Sequence, residues 1–423
     1  MLARPKRLGA YPTYLILGGA SAFFSTLIFT IDLVYQAQVA HLNPLQLVLV
    51  GTVLETTCFF TQVPTGALAD VYSRRLAVIL GVLLTGAGFL LEGAVPRFET
   101  ILLAQVLWGV GATFTDGADS AWITDEIGEE RVGQAFLRAS QIGQLAGLIA
   151  IPISVALASV RLNLPVLLGG GLFVALGMFL IVFMPEQGFQ PTPREDRNSW
   201  QAMAATTRDG VRLIRRRPIL LTFLVITLLY GAFSEGFDRL WRDHLLLDFS
   251  LPALGSLQPV VWFGLISGGS TVLSIGAMEL VRRRLDMNRH RRVAWVLFAF
   301  TALLSASLML FALAGNFFLA LAAFWCASLF RTIRVPVFHT WEVQSIDPGV
   351  RATVLSISGQ ADALGQIAGG PALGAIANYG SLRAALTVAG VILAPALPLF
   401  VRAGRQGRAV VPAAEEPAAA VER

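Results

Sequence analysis

Twelve apolar runs, each long enough to cross a bilayer, limit what this sequence can fold into. A transmembrane helix needs about 20 apolar residues, and runs of this length lie near 14–39, 45–69, 76–95, 100–123, 134–158, 164–184, 218–240, 257–280, 293–314, 316–340, 352–377 and 382–401. With 55% hydrophobic and 14% charged residues, a soluble globule would expose large apolar surfaces. We therefore predict an all-α membrane protein with twelve transmembrane helices, numbered here as spans 1 to 12.

The basic residues alternate between rich and poor segments along the chain. With the N-terminus placed inside, most of the 32 Lys and Arg residues fall in inner segments, and the outer segments hold Arg97, Arg161, Arg239, Arg242 and Arg383. Because cytoplasmic loops collect Lys and Arg, this pattern predicts both termini in the cytoplasm. The net charge of +5 then reflects topology rather than nucleic-acid binding, and we expect a multi-pass protein of the cell (plasma) membrane.

The composition changes abruptly between spans 6 and 7, where residues 186–197 are polar and punctuated by proline. This predicts an N-terminal six-helix half (1–190), a cytoplasmic linker (191–217) and a C-terminal six-helix half (218–405). Apolar spacing in the linker favours an amphipathic helix on the membrane surface, with a solvated basic tether as the alternative. Residues 406–423 are predicted to form a disordered cytoplasmic tail.

Two short matches indicate that the halves are repeats of one another. Residues 122–127 (WITDEI) can be set against 341–346 (WEVQSI), and 143–147 (GQLAG) against 365–369 (GQIAG). The matches fall in order at spans 4 to 5 and 10 to 11, as a duplicated six-helix unit requires. We therefore predict two pseudo-symmetric halves.

Residues 65–75, between spans 2 and 3, turn through an acid and restart after two arginines. This run resembles the signature loop of the major facilitator superfamily, Gly-x-Leu-Ala-Asp-(Arg/Lys)-x-Gly-Arg-(Arg/Lys), and the matching residues are Gly66, Leu68, Asp70, Arg74 and Arg75. Val71 and Ser73 depart from the pattern. Together with helix count, linker and repeat, the resemblance covers about residues 8–402. It implies a secondary transporter that works by alternating access, with spans 1, 4, 7 and 10 lining a central cavity.

A carboxylate at such a turn needs a cationic partner or a helix N-terminus. We expect Asp70 to pair across the inner surface with the start of span 11, near Arg351. Gly66 is expected to admit a close neighbour.

Spaced glycines in spans 5 and 11 indicate which branch of the superfamily the chain resembles. The resemblance to drug/proton antiporters rests on a fifth-span glycine and proline pattern, which span 5 keeps in part as Gly143, Gly147 and Pro152. Span 11 has a fuller version in Gly365, Gly369, Gly370, Pro371 and Gly374. The pattern favours the antiporter branch, and ordinary close packing of membrane helices is the alternative.

Carboxylates at membrane depth are the strongest functional candidates, because each costs several kcal/mol unless it is paired or faces water. We predict that Asp32 in span 1, Glu55 in span 2 and Asp362 in span 11 are proton-coupling residues. A kink cap or an interhelical hydrogen bond is the alternative role for Asp32.

A second prediction concerns two pairs of like charges in the inner halves of spans 4 and 10. Asp116 and Asp119 are three apart, as are Arg331 and Arg334, so each pair would share one helix face. With the repeat offset the pairs fall at similar depth, which predicts a gate latch across the inner mouth. Bonding of each pair within its own half is the alternative.

The remaining polar and aromatic residues of the spans divide into two predicted groups. A substrate cavity for a lipophilic ligand is predicted from Tyr35, Trp108, Phe114, Glu235, Trp262 and Trp325, although such aromatics also serve as plain packing. An ion-pair cluster at the outer surface is predicted from Asp238, Arg239, Arg242, Asp243 and His244.

The sequence contains no phosphate-loop, zinc or serine-nucleophile motif. We therefore predict neither an enzyme nor ATP-driven transport, with no metal or cofactor, and expect a monomer. The membrane-depth acids favour a proton-coupled exporter of small amphipathic or cationic compounds, whose partners are the substrate, protons and the lipid bilayer. Alternatives are a proton-coupled importer of a nutrient or anionic metabolite, and a non-transporting receptor or scaffold on the same fold.

Overall fold

The computed structural model describes residues 8–189, 208, 212, 217–254, 259–287, 289–346 and 351–406, which are almost entirely helical. The predicted linker helix and the predicted tail lie almost wholly outside these residues. The N-terminal helices are α1 (Ala10–Phe29), α2 (Asp32–Gln38), α3 (Pro44–Val71), α4 (Arg74–Ala94), α5 (Phe98–Thr115), α6 (Ala118–Ile127), α7 (Glu129–Val160) and α8 (Leu164–Phe183). The C-terminal helices are α9 (Pro218–Leu247), α10 (Val261–Arg284), α11 (His290–Leu313), α12 (Phe317–Gln344), α13 (Arg351–Tyr379), α14 (Leu382–Ile392) and α15 (Ala396–Gln406).

These helices make up the predicted spans, and the prediction of an all-α membrane protein is confirmed. Among the described residues, 11 spans are long and apolar enough to cross a membrane. Span 11 (α13) is not among them, because its many Gly, Ala, Ser and Gln residues lower its hydropathy. At 29 residues it would still reach about 43 Å at 1.5 Å per residue. Span 11 is therefore less apolar than the other predicted spans but long enough to cross a bilayer.

Three spans are broken, which the apolar runs did not predict. Span 1 consists of α1 and α2 with a break at Thr30 and Ile31, span 4 of α5 and α6, and span 12 of α14 and α15. The break in span 4 passes through Gly117, whose φ of 77° lies in the left-handed region that glycine adopts without strain. Each break frees backbone groups and redirects the side chains that follow it.

Equivalent pairs of spans pack closely in the two halves. In the N-terminal half, a Cβ on Gly143 would stand 3.2 Å from Ala22, so span 5 approaches span 1. In the C-terminal half, a Cβ on Gly365 would stand 2.8 Å from the backbone nitrogen of Ala232, so span 11 approaches span 7. The matching glycines therefore allow corresponding helix contacts.

The two halves meet at the end of the bundle where span 2 begins. There, Arg242 donates from Nη2 to the backbone oxygen of Phe29 at 3.0 Å, and a Cβ on Gly374 would stand 3.0 Å from Val48. At the opposite end, which carries the 65–75 loop, Asp116 and His339 are exposed. Among the described residues the halves are thus in contact at the first end, and we call the opposite end, where Asp116 and His339 are exposed, the open end.

Candidate substrate and ion sites

Cavity space lies between the helices toward the open end, although Gln360 still donates to Gln62 across the halves there at 3.3 Å. This space consists of four compartments of about 720, 880, 460 and 710 Å³. Neighbouring compartments share lining residues, which are in turn Gln144 and Thr271, Arg331 and Val335, Asp362 and Gln366, and finally Ser120. Each compartment is therefore adjacent to the next.

The fourth compartment, of about 710 Å³, is acidic. It lies between spans 2, 4 and 11, its four charged lining residues are Glu55, Asp116, Asp119 and Asp362, and its other lining side chains are uncharged. Two of these carboxylates accept hydrogen bonds from uncharged side chains. Gln62 donates to Asp116 at 3.3 Å, and Gln366 donates to Asp362 at 2.9 Å. We call it the acidic compartment. It brings together Glu55 and Asp362, two of the three predicted coupling residues.

The third compartment, of about 460 Å³, holds the two arginines of span 10. Arg331 forms a two-pronged ion pair with Asp238, in which Nη2 lies 2.6 Å from Oδ2. Arg334 is 4% exposed, and its guanidinium carbon lies 2.9 Å from the centre of the Tyr230 ring and 4.7 Å from that of Phe338. Its Nε and Nη2 have no hydrogen-bond partner among the described residues. Ring stacking thus holds a buried guanidinium that keeps unused donors.

The predicted latch does not form in this conformation. Asp116 follows the last residue of α5 and Asp119 lies in the first turn of α6, so they do not share one helix face as predicted. The N–H and hydroxyl of Ser120 donate to Asp119, at 2.5 and 3.0 Å. Arg331 pairs with Asp238 of its own half. Each side of the predicted latch therefore bonds within its own half.

The six residues predicted to line a substrate cavity lie outside the four compartments in this conformation, and their role in substrate binding stays a prediction. Trp108 stacks on Phe29 and Phe89, with ring centres 5.0 and 5.2 Å away. Trp262 donates to the backbone oxygen of Pro252, and Trp325 to that of Ile266. None of these tryptophans lines the four compartments.

The other three members of that group are placed similarly. Tyr35 is fully buried and donates from its hydroxyl to the backbone oxygen of Glu92 at 2.6 Å. Phe114 packs against the core of the N-terminal half. Glu235 is 5% exposed and pairs with Arg239, with Oε1 2.9 Å from Nε.

The five members of the predicted outer-surface cluster form ion pairs with other residues, or none, rather than with one another among the described residues. Asp238 reaches Arg331 and Arg239 reaches Glu235. Arg242 lies over the Trp241 ring at 4.3 Å. The remaining two, Asp243 and His244, are buried, and His244 Nδ1 lies 2.6 Å from Asp248 Oδ2.

Asp32, the third predicted coupling residue, lies away from the cavity in a buried patch shared by spans 1, 3 and 4. Gln36 Nε2 donates to Asp32 Oδ2 at 3.1 Å and to Glu92 Oε1 at 2.7 Å. Gln105 Nε2 donates to Glu92 Oε2 at 3.1 Å. We call Asp32, Gln36, Glu92 and Gln105 the closed patch. Sequence reasoning missed Glu92, and the available signal was an acid inside the apolar run 76–95.

The 65–75 loop ties span 3 to spans 4 and 6. Arg74 bridges Asp70 at 3.1 Å and Asp125 at 2.5 Å. Ser73, which departs from the signature pattern, caps α4 by accepting from Leu76 N and donates to Glu186 at 2.7 Å. Leu68 is exposed at this end, and Arg75 Nη2 donates to the backbone oxygen of Ile181 at 2.6 Å.

The structure gives the surroundings of two residues of this loop. A Cβ on Gly66 would meet nothing within 4 Å among the described residues, so the expected close neighbour stays a prediction. Asp70 bonds to Arg74 of its own half. The cross-half pairing with Arg351 stays a prediction for the conformation in which this end is closed.

Comparison with known proteins places this architecture in a family. The family model described as Major Facilitator Superfamily matches residues 14–361. The uncharacterized MFS-type transporter YxaM of Bacillus subtilis (strain 168) is 22% identical over 353 residues, which cover 82% of this chain and 85% of YxaM. The uncharacterized MFS-type transporter Rv0849 of Mycobacterium tuberculosis (strain ATCC 25618 / H37Rv) is 23% identical over 233 residues, 51% of this chain and 53% of that protein.

Solved structures share the fold at low sequence identity. The nucleoside transporter NupG has a TM-score of 0.74 at 14% identity, covering 94% of this chain and 99% of NupG. A bacterial homolog of the human lysosomal transporter Spinster, in an inward-facing and unoccupied conformation, has a TM-score of 0.71 at 13% identity, covering 94% and 96%. The chain is a multi-pass membrane protein and belongs to the major facilitator superfamily of secondary transporters.

Proposed function

We propose that this transporter exports small cationic or amphipathic compounds in exchange for protons. The observation that carries the proposal is the acidic compartment, in which four carboxylates face one space among uncharged side chains. Ionisable groups at membrane depth are costly and mark substrate or ion pathways. A carboxylate can hold a proton or a cationic group but not both, so competition for the same oxygens gives exchange.

The position of the acidic compartment suits alternating access. Glu55 belongs to span 2 in the first half, and Asp362 belongs to span 11 in the second. When the halves rock against each other, as inverted or parallel repeats do in transporters, the two carboxylates change their separation and their access to water. Binding at both can therefore respond to which end is open.

The direction of opening suits loading from the cytoplasm. The cavity opens at the end that carries Arg74 and Arg75, and the basic tail of α10 at Arg282–Arg284 lies at the same end. Because Lys and Arg collect in cytoplasmic loops, we place this end, and both termini, in the cytoplasm of a plasma-membrane protein. The two halves, 1–190 and 218–405, would then move as units in a monomer.

A flux assay with matched variants tests the proposal. Purified protein in liposomes is expected to exchange ethidium, used as the cationic probe, for protons when a pH gradient is imposed. Glu55→Gln and Asp362→Asn should each lower this exchange strongly, because each removes a carboxylate shared by proton and cation. Glu130→Gln removes a carboxylate exposed at the start of α7 and serves as the control. Exchange that is insensitive to the pH gradient, or unchanged in both cavity variants, would contradict the proposal.

Arg334 supports a second candidate, the import of a metabolite that carries an anionic group. Arg334 lines the third compartment and has two guanidinium nitrogens, both buried, without a hydrogen-bond partner among the described residues, and charge-assisted bonds to a carboxylate are strong. A panel of anionic and zwitterionic metabolites distinguishes the two candidates. Uptake that needs Arg334 but not Glu55 would favour import, and absence of any substrate flux would favour a receptor or scaffold.

The latch is retained as a proposal for the conformation that is closed at the 65–75 loop end. Closure would require Arg331 to exchange Asp238 for an acid of span 4. Reversing all four charges, with Asp116 and Asp119 made Arg and Arg331 and Arg334 made Asp, should restore part of the flux that either reversal alone removes. A fourfold variant that is folded but no better than the worse single reversal would rule the latch out.

A further inference from the structure

We propose that the closed patch of Asp32, Gln36, Glu92 and Gln105 is an occluded binding site for one monovalent cation, either a sodium ion or a proton. The site is separate from the cavity, and its residues come from spans 1, 3 and 4. Cation binding here does not depend on the proposed antiport. Only a role as the coupling site rests on that function.

The side chains of the patch are removed from solvent. Asp32 is 4% exposed, Gln105 is 1% exposed, and Gln36 and Glu92 are fully buried. The amide nitrogen of Gln36 lies 3.1 Å from Asp32 Oδ2 and 2.7 Å from Glu92 Oε1, so one donor holds the two carboxyls beside each other. Two carboxylates this close in a dry site repel each other, so a positive charge between them is strongly favoured.

The fixed charges around the patch leave one negative charge uncompensated. The cations that act on the two carboxylates are Arg239 and Arg242 of span 7. Arg239 is itself paired with Glu235 at 2.9 Å. Three carboxylates against two guanidiniums give −3 + 2 = −1, and Asp238, the nearby fourth acid, is already paired with Arg331. One monovalent cation makes the group neutral.

Oxygen atoms without donors show where that cation would sit. Asp32 Oδ1, Gln36 Oε1 and Gln105 Oε1 are buried and have no hydrogen-bond partner among the described residues. Each of the two amides donates its nitrogen to a carboxylate of the patch, which fixes the amide beside the charge. Carboxylate and amide oxygens are the ligands that hard cations prefer. A sodium ion could use several of these oxygens, and a proton would join Asp32 to Glu92.

The surrounding backbone gives the site a way to open. Asp32 begins α2, directly after the break in span 1, and broken helices are typical of ion sites in transporters. From the other half, Arg242 donates to the backbone oxygen of Phe29 at this break, at 3.0 Å. Separation of the halves at this end would remove Arg242 and Arg239 from the patch. The site is therefore closed in this conformation and exposed in the opposite one.

Thermal unfolding of the purified protein in detergent, without substrate, tests the site. A ligand that binds only the folded state raises the unfolding temperature as its concentration rises. One series adds NaCl against choline chloride at constant ionic strength, and a second lowers the pH in choline chloride alone. We expect one of these two series to raise the unfolding temperature of the wild type, which identifies the cation as sodium or proton respectively.

The variants Asp32→Asn and Glu92→Gln should each abolish that response, because removal of one carboxylate makes the fixed charges neutral. For the same reason both variants should remain folded without the cation. Glu92→Asp keeps the charge but shortens the side chain, so its response should shift to higher cation concentration. Glu130→Gln, which removes an exposed carboxylate, is the control.

Two results would overturn the site. One is a wild type whose unfolding temperature responds neither to sodium nor to pH. The other is a response that persists unchanged in both Asp32→Asn and Glu92→Gln, since the cation would then bind elsewhere. Because no substrate is present, these failures leave the antiport proposal standing, and a failure of ethidium exchange leaves this site standing.

Discussion

The acidic compartment and the closed patch use the same kinds of side chain in opposite surroundings. In the acidic compartment, Glu55 and Asp362 face a cavity that is open at one end. In the closed patch, Asp32 and Glu92 are sealed in the first half beneath two arginines of the second. The comparison teaches that access to solvent, rather than residue type, separates a group that can meet a substrate from one that can hold only a small ion.

The largest expected effect comes from removing the arginine that covers the closed patch. Arg239→Leu leaves Glu235, 5% exposed, without its partner and raises the uncompensated charge of the group from −1 to −2. Breaking a buried ion pair in this way costs about 3–5 kcal/mol. We expect a marked loss of unfolding temperature, partly recovered in the double variant with Glu235→Leu.

An ion pair of the open region is the control for this experiment. Glu279 and Arg282 pair at 2.7 Å, but both side chains are exposed. Arg282→Leu should change the unfolding temperature little, because exposed ion pairs contribute little to stability. A comparable loss of unfolding temperature in Arg239→Leu and Arg282→Leu would contradict the difference in solvent access between the two regions.

The next largest effect is expected in Asp32→Asn, which should lose gradient-driven transport but keep substrate binding. Asp32→Asn should abolish transport driven by a pH or sodium gradient, because the patch no longer exchanges a cation. It should preserve binding of ethidium, since Asp32 lies outside the cavity. Flux and equilibrium binding measured on the same preparation check both parts. Gradient-driven flux that is unchanged in Asp32→Asn would contradict a coupling role.

A native cysteine gives a more moderate test of which region meets substrate. Cys58 lines the acidic compartment, so ethidium should slow its reaction with a maleimide in a Cys326→Ser background. An anionic dye of similar size is the control, and it should protect less. Equal protection by both dyes would argue against a cation site beside Cys58.

The sequence predicted the membrane spans better than it predicted the closed patch, for physical reasons. Apolar runs identify spans because any helix that crosses a bilayer must be largely apolar. The matching glycines Gly143 and Gly365 mark the spans that pack closely against their neighbours. The break at Thr30 and Ile31 carries no Gly or Pro signal. Glu92 is one acid in an apolar run, and its meaning depends on Gln36 and Gln105, which come from two other spans. A site assembled from three spans leaves no spacing in the sequence.

The smallest expected effect concerns the balance between the two end conformations. In the open conformation Asp70 bonds to Arg74, but Arg74 keeps a second, shorter bond to Asp125. Asp70→Asn should therefore leave the open conformation nearly intact. If Asp70 pairs with the start of span 11 when that end closes, the variant also loses a contact specific to the closed conformation.

The populations of Asp70→Asn should consequently shift toward the form open at the 65–75 loop, by an amount of the order expected for one exposed pair, about 0–1 kcal/mol. The rate of maleimide labelling at Cys58 measures this shift, because Cys58 lines the acidic compartment, which we expect to be more accessible in the open form. Asp125→Asn, which weakens the same Arg74 bridge inside one half, is the matched control. Faster labelling in Asp70→Asn than in Asp125→Asn supports cross-half pairing, whereas equal rates would restrict Asp70 to the bridge already seen.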